Sequence, residues 1–289
     1  MNINGITRLI GMVYGTCAFI FPAIVTAEEV GATTSTHTFT PNLAIVNNYV
    51  FRGLTQTWNE PALQGGIDYN HADGWYASVW ASNISDRQYA KGIVELDLGL
   101  GYNGKFTSDD WTWTIGAAGA YYPEANYSKV VPTVAMNGNQ SYNNLEINGG
   151  IGYKWILFKL SAAVTDYFGV NTSNGYTSGT RWSTYSDLTA TIPLSEEIFG
   201  QNVTMPLHAG YTNYTAKLAS PTPSGGTNPD YADFKVGLAK GFDEGVNLSL
   251  AVTHATNNKV YNNTSSIKSS GDNINLGGTH IVVSLAKTF

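Results

Sequence analysis

Apolar residues alternate with small or polar residues along much of this chain. Which of the two faces is the apolar one constrains the fold more than any other feature of the sequence. In Val94–Tyr102 every second residue is aliphatic or aromatic, and the residues between them are Glu95, Asp97, Gly99 and Gly101. This period of two is typical of a β-strand. A water-soluble barrel needs large aliphatic residues on its inner face to fill the core. Here the second face is small or polar, so we expect the apolar face to point outward, towards lipid.

The same alternation returns in several later segments and in the last one. One face of each segment carries Leu, Ile, Val or Phe, and the other carries Gly, Ala, Ser, Thr and scattered charge. An apolar last strand would be an unprotected sheet edge unless it paired with the first strand, so a closed barrel is expected. The segments are 145–154, 158–165, 234–239, 246–253 and 281–289.

Turn-forming residues divide the chain after residue 40 into twelve candidate strands. Most are about ten to fourteen residues long, whereas strands of soluble proteins have about five or six. A tilted strand needs roughly nine to eleven residues to cross the hydrocarbon of a bilayer. The sequence therefore predicts an all-β fold, a transmembrane antiparallel up-and-down β-barrel of twelve strands over residues 41–289. The strands are predicted at 41–54, 61–71, 75–85, 92–103, 111–122, 142–154, 156–168, 180–193, 202–215, 231–242, 246–258 and 275–289.

The connections between these strands alternate in length. Bacterial outer-membrane barrels have short periplasmic turns and longer extracellular loops, and we expect the same arrangement here. Strands 41–54 and 75–85 alternate poorly, so the sequence leaves their faces open.

The first 27 residues have the pattern of a secretory signal. Arg8 precedes an apolar run that ends at Val25, and small residues follow up to Ala27, so we expect cleavage before Glu28. A retained membrane anchor is the alternative. Residues 28–40 are polar and rich in Thr, and we expect them to form a periplasmic lead-in to the barrel.

Composition restricts the partners and cofactors. Charged residues make up 12% of the chain, about half the share of a typical soluble domain. Removal of the signal with Arg8 would leave 14 basic against 21 acidic residues, which argues against nucleic acid as a partner. The sole cysteine, Cys17, would leave with the signal. The five histidines have no metal-ligand spacing, and no metal or other cofactor is expected.

Charged residues on the polar face are the candidates for lining the barrel interior. They either border a water-filled channel and set its ion preference or pair with one another as a packed polar core. A twelve-stranded barrel is intermediate in width, so we favour a narrow conducting path, and the mixed signs leave selectivity open. Arg52 is either a constriction cation or a partner of an acidic residue such as Glu60. The candidates are Arg52, Asp68, Glu95, Asp97, Glu146, Lys154, Lys159, Arg181, Asp187 and Lys235.

Aromatic residues gather near the ends of the predicted strands. Rings at the two headgroup levels form the girdles of outer-membrane barrels, although turns also favour aromatic residues. The candidates for girdles are Tyr49, Phe51, Tyr69, Trp75, Tyr76, Tyr102, Trp111, Trp113, Tyr121, Tyr122, Tyr153, Trp155, Tyr167, Phe168, Trp182, Tyr211, Phe242 and Phe289.

The first third of the predicted mature chain resembles a known family. Asn47–Gln56, which reads NNYVFRGLTQ, is similar to the start of the TorF-type porins. The resemblance continues through 61–69 and 74–83 and reaches Val94–Asp97. It implies a Gram-negative outer membrane and a pore whose substrate is poorly defined. It implies no catalytic or ligand-binding residues.

We therefore expect a bacterial outer-membrane barrel that passively passes small solutes or ions. Its partners would be the lipid bilayer and, during assembly, the barrel-assembly machinery, which would read a terminal signal that includes Phe289. The first alternative is a non-conducting structural or adhesive barrel that acts through its Asn-, Thr- and Ser-rich loops. The second is an outer-membrane enzyme, but we expect His254 to face outward and Ser249 inward, so we predict no catalytic site. Oligomeric state and gating stay open.

Overall fold

Twelve antiparallel strands close into one barrel. The computed structural model describes residues 35–129, 140–219, 226–269 and 271–289, and the predicted signal, residues 1–27, lies outside them. Each strand pairs with its neighbours in the chain, and the first pairs with the last. The predicted all-β, up-and-down barrel is confirmed.

The strands are numbered in chain order. They are β1 His37–Val46, β2 Ala62–His71, β3 Trp75–Asn83, β4 Val94–Lys105, β5 Trp111–Tyr121, β6 Asn144–Tyr153, β7 Ile156–Ala163, β8 Thr184–Pro193, β9 Val203–Asn213, β10 Tyr231–Gly241, β11 Val246–Ala255 and β12 Gly278–Thr288. The connections contain the short α-helices Glu196–Phe199 and Asn258–Tyr261 and the 3-10 turns Tyr127–Lys129, Tyr167–Gly169, Thr172–Asn174 and Asp243–Gly245. Two small hairpins pair Val50–Phe51 with Leu54–Thr55 and Thr264–Ser265 with Asn273–Ile274.

None of the helices in the described residues is long and apolar enough to cross a bilayer.

The two ends of the barrel differ in their connections. One end, here the short-turn end, carries segments 72–74, 106–110, 154–155, 194–202 and 242–245. The other, here the long-loop end, carries segments 47–61, 84–93 and 164–183 and the described parts of segments 122–143, 214–230 and 256–277. Which end faces the periplasm stays a prediction.

The outer surface of the barrel is apolar. Leu98, Ile115, Leu250 and Ile281 are each more than half exposed. Glu95, which lies on the opposite face of β4 from Leu98, is only 2% exposed. In water, a continuous apolar surface of this kind would cause aggregation. It suits the hydrocarbon of a bilayer, with the polar side chains turned into the barrel.

The structure assigns the faces of the two strands that alternate poorly in the sequence. In β1, Ile45 is exposed and Val46 is buried. In β3, Val79 is exposed while Tyr76 and Trp80 are buried inside the barrel. Large aromatic residues on the inner face of β3 obscure its alternation in the sequence.

The predicted bounds of the first strand are wrong at both ends. The strand begins at His37, so residues 37–40 belong to the barrel and not to the lead-in. It ends at Val46, and the segment that follows turns into the barrel instead of continuing the wall. The weak alternation of Asn47–Leu54 in the sequence fits this course, because the segment is not part of the barrel wall.

The barrel closes along a short seam between β1 and β12. Asn42–Val46 pair with Ser284–Thr288. Asn47 continues this ladder by one step. Its backbone N–H donates to the carbonyl of Val283 at 3.2 Å, its Nδ2 donates to the carbonyl of Ile281 at 3.0 Å, and its Oδ1 accepts from the N–H of Val283 at 2.7 Å. The side-chain amide of Asn47 thus takes the place of a further peptide group.

Exposed aromatic rings surround the short-turn end. Trp75 and Tyr102 meet edge to face with centroids 5.2 Å apart, and the rings of Trp111 and Tyr153 lie 4.8 Å apart. Four of the residues predicted for a girdle, Tyr49, Tyr76, Tyr122 and Tyr167, are instead buried inside the barrel. Position at a strand end does not fix the direction of a ring when an inward-folded loop is available to cover it. Exposed aromatic residues at the short-turn end are Phe39, Trp75, Phe106, Trp111, Tyr153, Trp155, Phe199, Phe242 and Phe289.

Candidate functional site

The connection between β1 and β2, residues 47–61 and here loop L1, folds into the barrel. Asn48, Arg52, Thr55 and Trp58 are all buried, although the segment lies outside the barrel strands. The ring of Tyr49 packs edge to face on the inward ring of Trp80 in β3, with centroids 5.4 Å apart. L1 therefore occupies the interior near the long-loop end.

The tip of L1 is a tight two-residue turn. Val50–Phe51 pair with Leu54–Thr55, and the central residues Arg52 and Gly53 have φ values of 47° and 76°. Positive φ at both central residues is characteristic of hairpin turns that match the strand twist. A side chain at Gly53 would not fit, because its Cβ would lie 2.6 Å from the Cβ of Asp233 and 2.8 Å from that of Ala255. The tip is thus flush against β10 and β11.

Arg52 joins this tip to the wall at β6. Its Nη1 and Nη2 donate to the two carboxylate oxygens of Glu146 at 2.8 and 2.7 Å, and its Nη1 donates to the hydroxyl of Tyr167 at 2.7 Å. The guanidinium also lies over the ring of Tyr185, 4.1 Å from the centroid. Such a two-point ion pair fixes both position and orientation. Here it holds Arg52 in the left-handed backbone region, which is uncommon for residues other than glycine.

The sequence left two interpretations of Arg52, and the structure favours the structural partner. That partner is Glu146. Glu60, the acidic residue considered from the sequence, instead accepts from Nη1 of Arg87 at 2.5 Å on the surface of the loops. Arg52 is only 6% exposed, so it is not a free cation at the rim.

A hydrogen-bond network makes L1 a compact body. Oδ1 of Asn48 accepts from the hydroxyls of Thr55 and Thr57 at 2.6 and 3.3 Å, and the Thr57 hydroxyl accepts from the N–H of Tyr49 at 3.1 Å. The base of L1 is tied to neighbouring loops, since the N–H of Thr55 donates to the carbonyl of Leu276 at 2.9 Å. The buried side chains of Asn48, Thr55 and Thr57 are thereby paired, as a stable interior requires.

Aromatic residues fill the long-loop end beside β3–β6. The rings of Tyr89 and Tyr122 stack with centroids 4.9 Å apart, and Tyr142 meets Tyr89 edge to face at 5.2 Å. The hydroxyl of Tyr122 donates to Oε1 of Glu95 at 2.9 Å, and Tyr89 hydrogen-bonds with Gln56 of L1. Burial raises the pKa of Tyr142 to about 12. This part of the interior is packed, with L1 as one of its components.

Charged side chains line the inner face of β6–β10, which we call the charged wall. His208 lies between two carboxylates, with its Nδ1 3.1 Å from Oδ1 of Asp187 and its Nε2 2.7 Å from Oδ1 of Asp233. Tyr185 donates to Asp233 at 3.1 Å. Residues of opposite sign face one another in register on neighbouring strands, as Lys159 does with Asp187. The charged wall consists of Glu146, Lys159, Asp187, His208, Asp233 and Lys235.

Uncharged and mostly small side chains line the inner face of β1, β11 and β12, which we call the small-residue wall. Its members pair across strands, so that Ala44 faces Ala286 and Ser249 faces Ser284. Between the two walls is a cavity in which about 80 Å³ is accessible to water-sized molecules. The cavity extends from L1, at Asn48 and Gly53, towards the short-turn end. Its small-residue wall consists of Ala44, Ser249, Ala251, Ser284 and Ala286.

Eight of the ten predicted lining residues lie inside the barrel. Glu95, Asp97, Glu146 and Asp187 belong to inner faces of β4, β6 and β8, and Arg52 enters with L1. Asp68, Lys159 and Lys235 are partly buried on inner faces, where Asp68 accepts from Nδ2 of Asn42 at 3.3 Å.

The predictions for Lys154 and Arg181 are wrong. Lys154 lies in the short turn after β6, with φ 51°, and its exposed ammonium is 3.7 Å from Oδ2 of Asp110. Because β6 ends at Tyr153, its alternation does not extend to Lys154. Arg181 precedes β8 in a long loop, where its exposed guanidinium lies 5.2 Å from the ring centroid of Trp182.

Asp233, Tyr185 and Tyr167 contribute to the interior but are not among the predicted lining residues. Asp233 lies two positions before Lys235 and Tyr185 two before Asp187, so continuing each alternation by one step would have found both. Tyr167 has no such signal, because it lies in a 3-10 turn of a long loop. His208 faces inward, and the described ranges contain no group of three His, Cys, Asp or Glu side chains that could hold a metal ion.

Solved structures with a similar barrel include outer-membrane channels. The KdgM porin in complex with disordered oligogalacturonate shares 9% sequence identity at a TM-score of 0.48, over 87% of this chain and 99% of that chain. An outer membrane channel from Pseudomonas putida F1 shares 12% identity at a TM-score of 0.44, over 89% of this chain and 97% of that chain. At these values the likeness is limited to the barrel architecture. No curated protein matches the chain.

A family model described as a bacterial protein of unknown function (Gcw_chp) matches residues 30–289. This match does not confirm the resemblance to the TorF-type porins. Because it takes in nearly the whole chain, the protein belongs to the Gcw_chp family.

Proposed function

We propose that this protein is an outer-membrane channel that allows passive diffusion of small solutes or ions through a narrow polar interior. The proposal rests on the polarity of the barrel, which is the reverse of that in a soluble barrel. Leu98 and Leu250 face outward, while Glu95 and the residues of the charged wall, Asp187 among them, face inward. A barrel of this polarity is stable in a bilayer and offers water and ions a polar path.

The proposed path follows the cavity between the charged wall and the small-residue wall. A solute would enter at the short-turn end, beside Asn247 and Thr288, and would reach L1 at Gly53. The wall at Ser249, Ala251 and Ser284 leaves room because its side chains are short. In this proposal the short-turn end faces the periplasm, the long-loop end faces the cell exterior, and the protein has no enzymatic activity.

A specific observation favours a second candidate, a non-conducting barrel that acts through its external loops. L1 and the aromatic residues around Tyr89 and Tyr122 fill the interior at the long-loop end. A barrel closed in this way would serve as a structural or adhesive element.

Single-channel recording distinguishes the two candidates. The mature protein, residues 28–289, would be refolded and inserted into planar bilayers in KCl, with heat-dependent gel migration as the check of folding. Stable conductance steps support the channel. Absence of steps from folded protein in several salts would support the non-conducting barrel and reject the channel.

Export and location are tested separately. We expect the protein to fractionate with the outer membrane and its amino-terminal sequence to begin at Glu28. Recovery with the inner membrane, or retention of residues 1–27, would contradict this part of the proposal.

A further inference from the structure

We propose that the tip of L1, held by Arg52 on Glu146, limits the size of the solute that the barrel admits. This inference rests on the proposed channel function. It concerns the element that sets the width of the path, which neither the family match nor the barrel architecture assigns.

The first argument is the position of the tip. L1 contacts the wall at β3 through Tyr49, at β6 through Arg52, and at β10 and β11 through Gly53. These strands lie on different sides of the closed barrel. The cavity between the two walls ends at this tip, where Asn48 and Gly53 form part of its lining. A solute that moves along the cavity towards the long-loop end therefore meets the tip of L1.

The second argument is the kind of contact that holds the tip. Arg52 and Glu146 form a buried ion pair, in which the mutual attraction is largely offset by the loss of hydration. Displacing the tip into a hydrated interior would return water to both charges. A loop held in the barrel by apolar packing would gain no comparable hydration when it was displaced. This ion pair between Arg52 and Glu146, here called the clasp, fixes the tip in one place, yet breaking it costs less free energy than its number of hydrogen bonds suggests.

The third argument is that the base of L1 has separate attachments. The N–H of Ser85 donates to the carbonyl of Gln56 at 3.0 Å, and Nε1 of Trp58 donates to Oδ1 of Asp272 at 3.2 Å. These contacts join L1 to loops at the long-loop end and not to the charged wall. Loss of the clasp would therefore free the tip while the base stays in place.

The test uses variants in which no charge is left buried alone. Arg52→Ala/Glu146→Ala removes the clasp, and Arg52→Glu/Glu146→Arg exchanges its charges. The matched control is Lys129→Ala/Glu124→Ala, which removes an exposed ion pair of a loop outside L1. A second release variant, Gly53→Ala, keeps both charges but places a methyl group where the wall leaves no room.

KCl conductance and liposome uptake of neutral mono- and trisaccharides would be measured for each folded protein. We expect a several-fold higher conductance and faster trisaccharide uptake for the double-alanine clasp variant and for the Gly53 variant. The control should keep wild-type values. In the charge-exchanged protein both quantities should return part of the way to wild type. Wild-type conductance and sugar selectivity in both release variants would overturn the role of L1 and leave the channel intact. Absence of conductance in every folded variant would instead reject the channel itself.

Discussion

The two walls of the cavity differ in what holds them and in what they leave empty. L1 contacts the charged wall at Glu146 and Asp233, and the side chains of this wall are paired with one another, as His208 is with Asp187 and Asp233. The small-residue wall carries short side chains, of which Ser249 and Ser284 face one another in register. The comparison teaches that open space in this barrel depends on side-chain size, whereas the position of L1 depends on charge.

The largest effect should come from removing one charge of the clasp. Glu146→Ala leaves Arg52 buried without its carboxylate, and loss of one partner of a buried pair costs about 3–5 kcal/mol of unfolding free energy. Urea unfolding in detergent, followed by tryptophan fluorescence, measures it. Ser284→Ala on the small-residue wall is the control and should stay within about 0.5 kcal/mol. Equal stability of the two variants would contradict the contrast between the walls.

A matched pair of leucine substitutions compares packed with open space. Ala120 packs with the aromatic residues around Tyr89 and Tyr122 and is 7% exposed. Ala251 lines the cavity and is 5% exposed. Ala120→Leu should lower the unfolding free energy by about 1–3 kcal/mol through overpacking. Ala251→Leu should leave stability nearly unchanged but lower KCl conductance. The reverse order of stabilities would show that the cavity is not available space.

The smallest effects are expected at the rims. Lys154→Ala and Arg181→Ala each remove an exposed charge outside the walls, so both unfolding free energy and conductance should stay near wild type, within about 0.5 kcal/mol for stability. A large change in conductance for either variant would indicate that the path passes the rim and not the cavity.

The wall of the barrel could be predicted from the sequence because the alternation within each strand shows which residues face outward and which face inward. Glu95 and Asp97 were placed inside from a period of two alone, and the number of strands followed from turn residues. Boundaries were less certain, since alternation does not show where a strand leaves the sheet, as Lys154 and the segment after Val46 demonstrate.

The contacts of L1 could not be predicted in this way. Arg52 and Glu146 are far apart in the chain, and nothing local to either residue indicates the other. The short turn at Arg52-Gly53 gives a hairpin signal in hindsight, but the flanking aromatic residues are equally typical of a membrane strand. Which way such a segment folds is decided by the space left among the other strands, a property of the whole barrel.

The seam at Asn47 links two events in the maturation of the protein. Its side chain bonds to β12, and the next residue, Asn48, is the centre of the network that shapes L1. The first and last strands must meet before Asn47 can make these bonds, so we expect the start of L1 to be held in place only once the ring of strands is complete. A chain that lacks its carboxyl-terminal strand should therefore expose this loop to proteases.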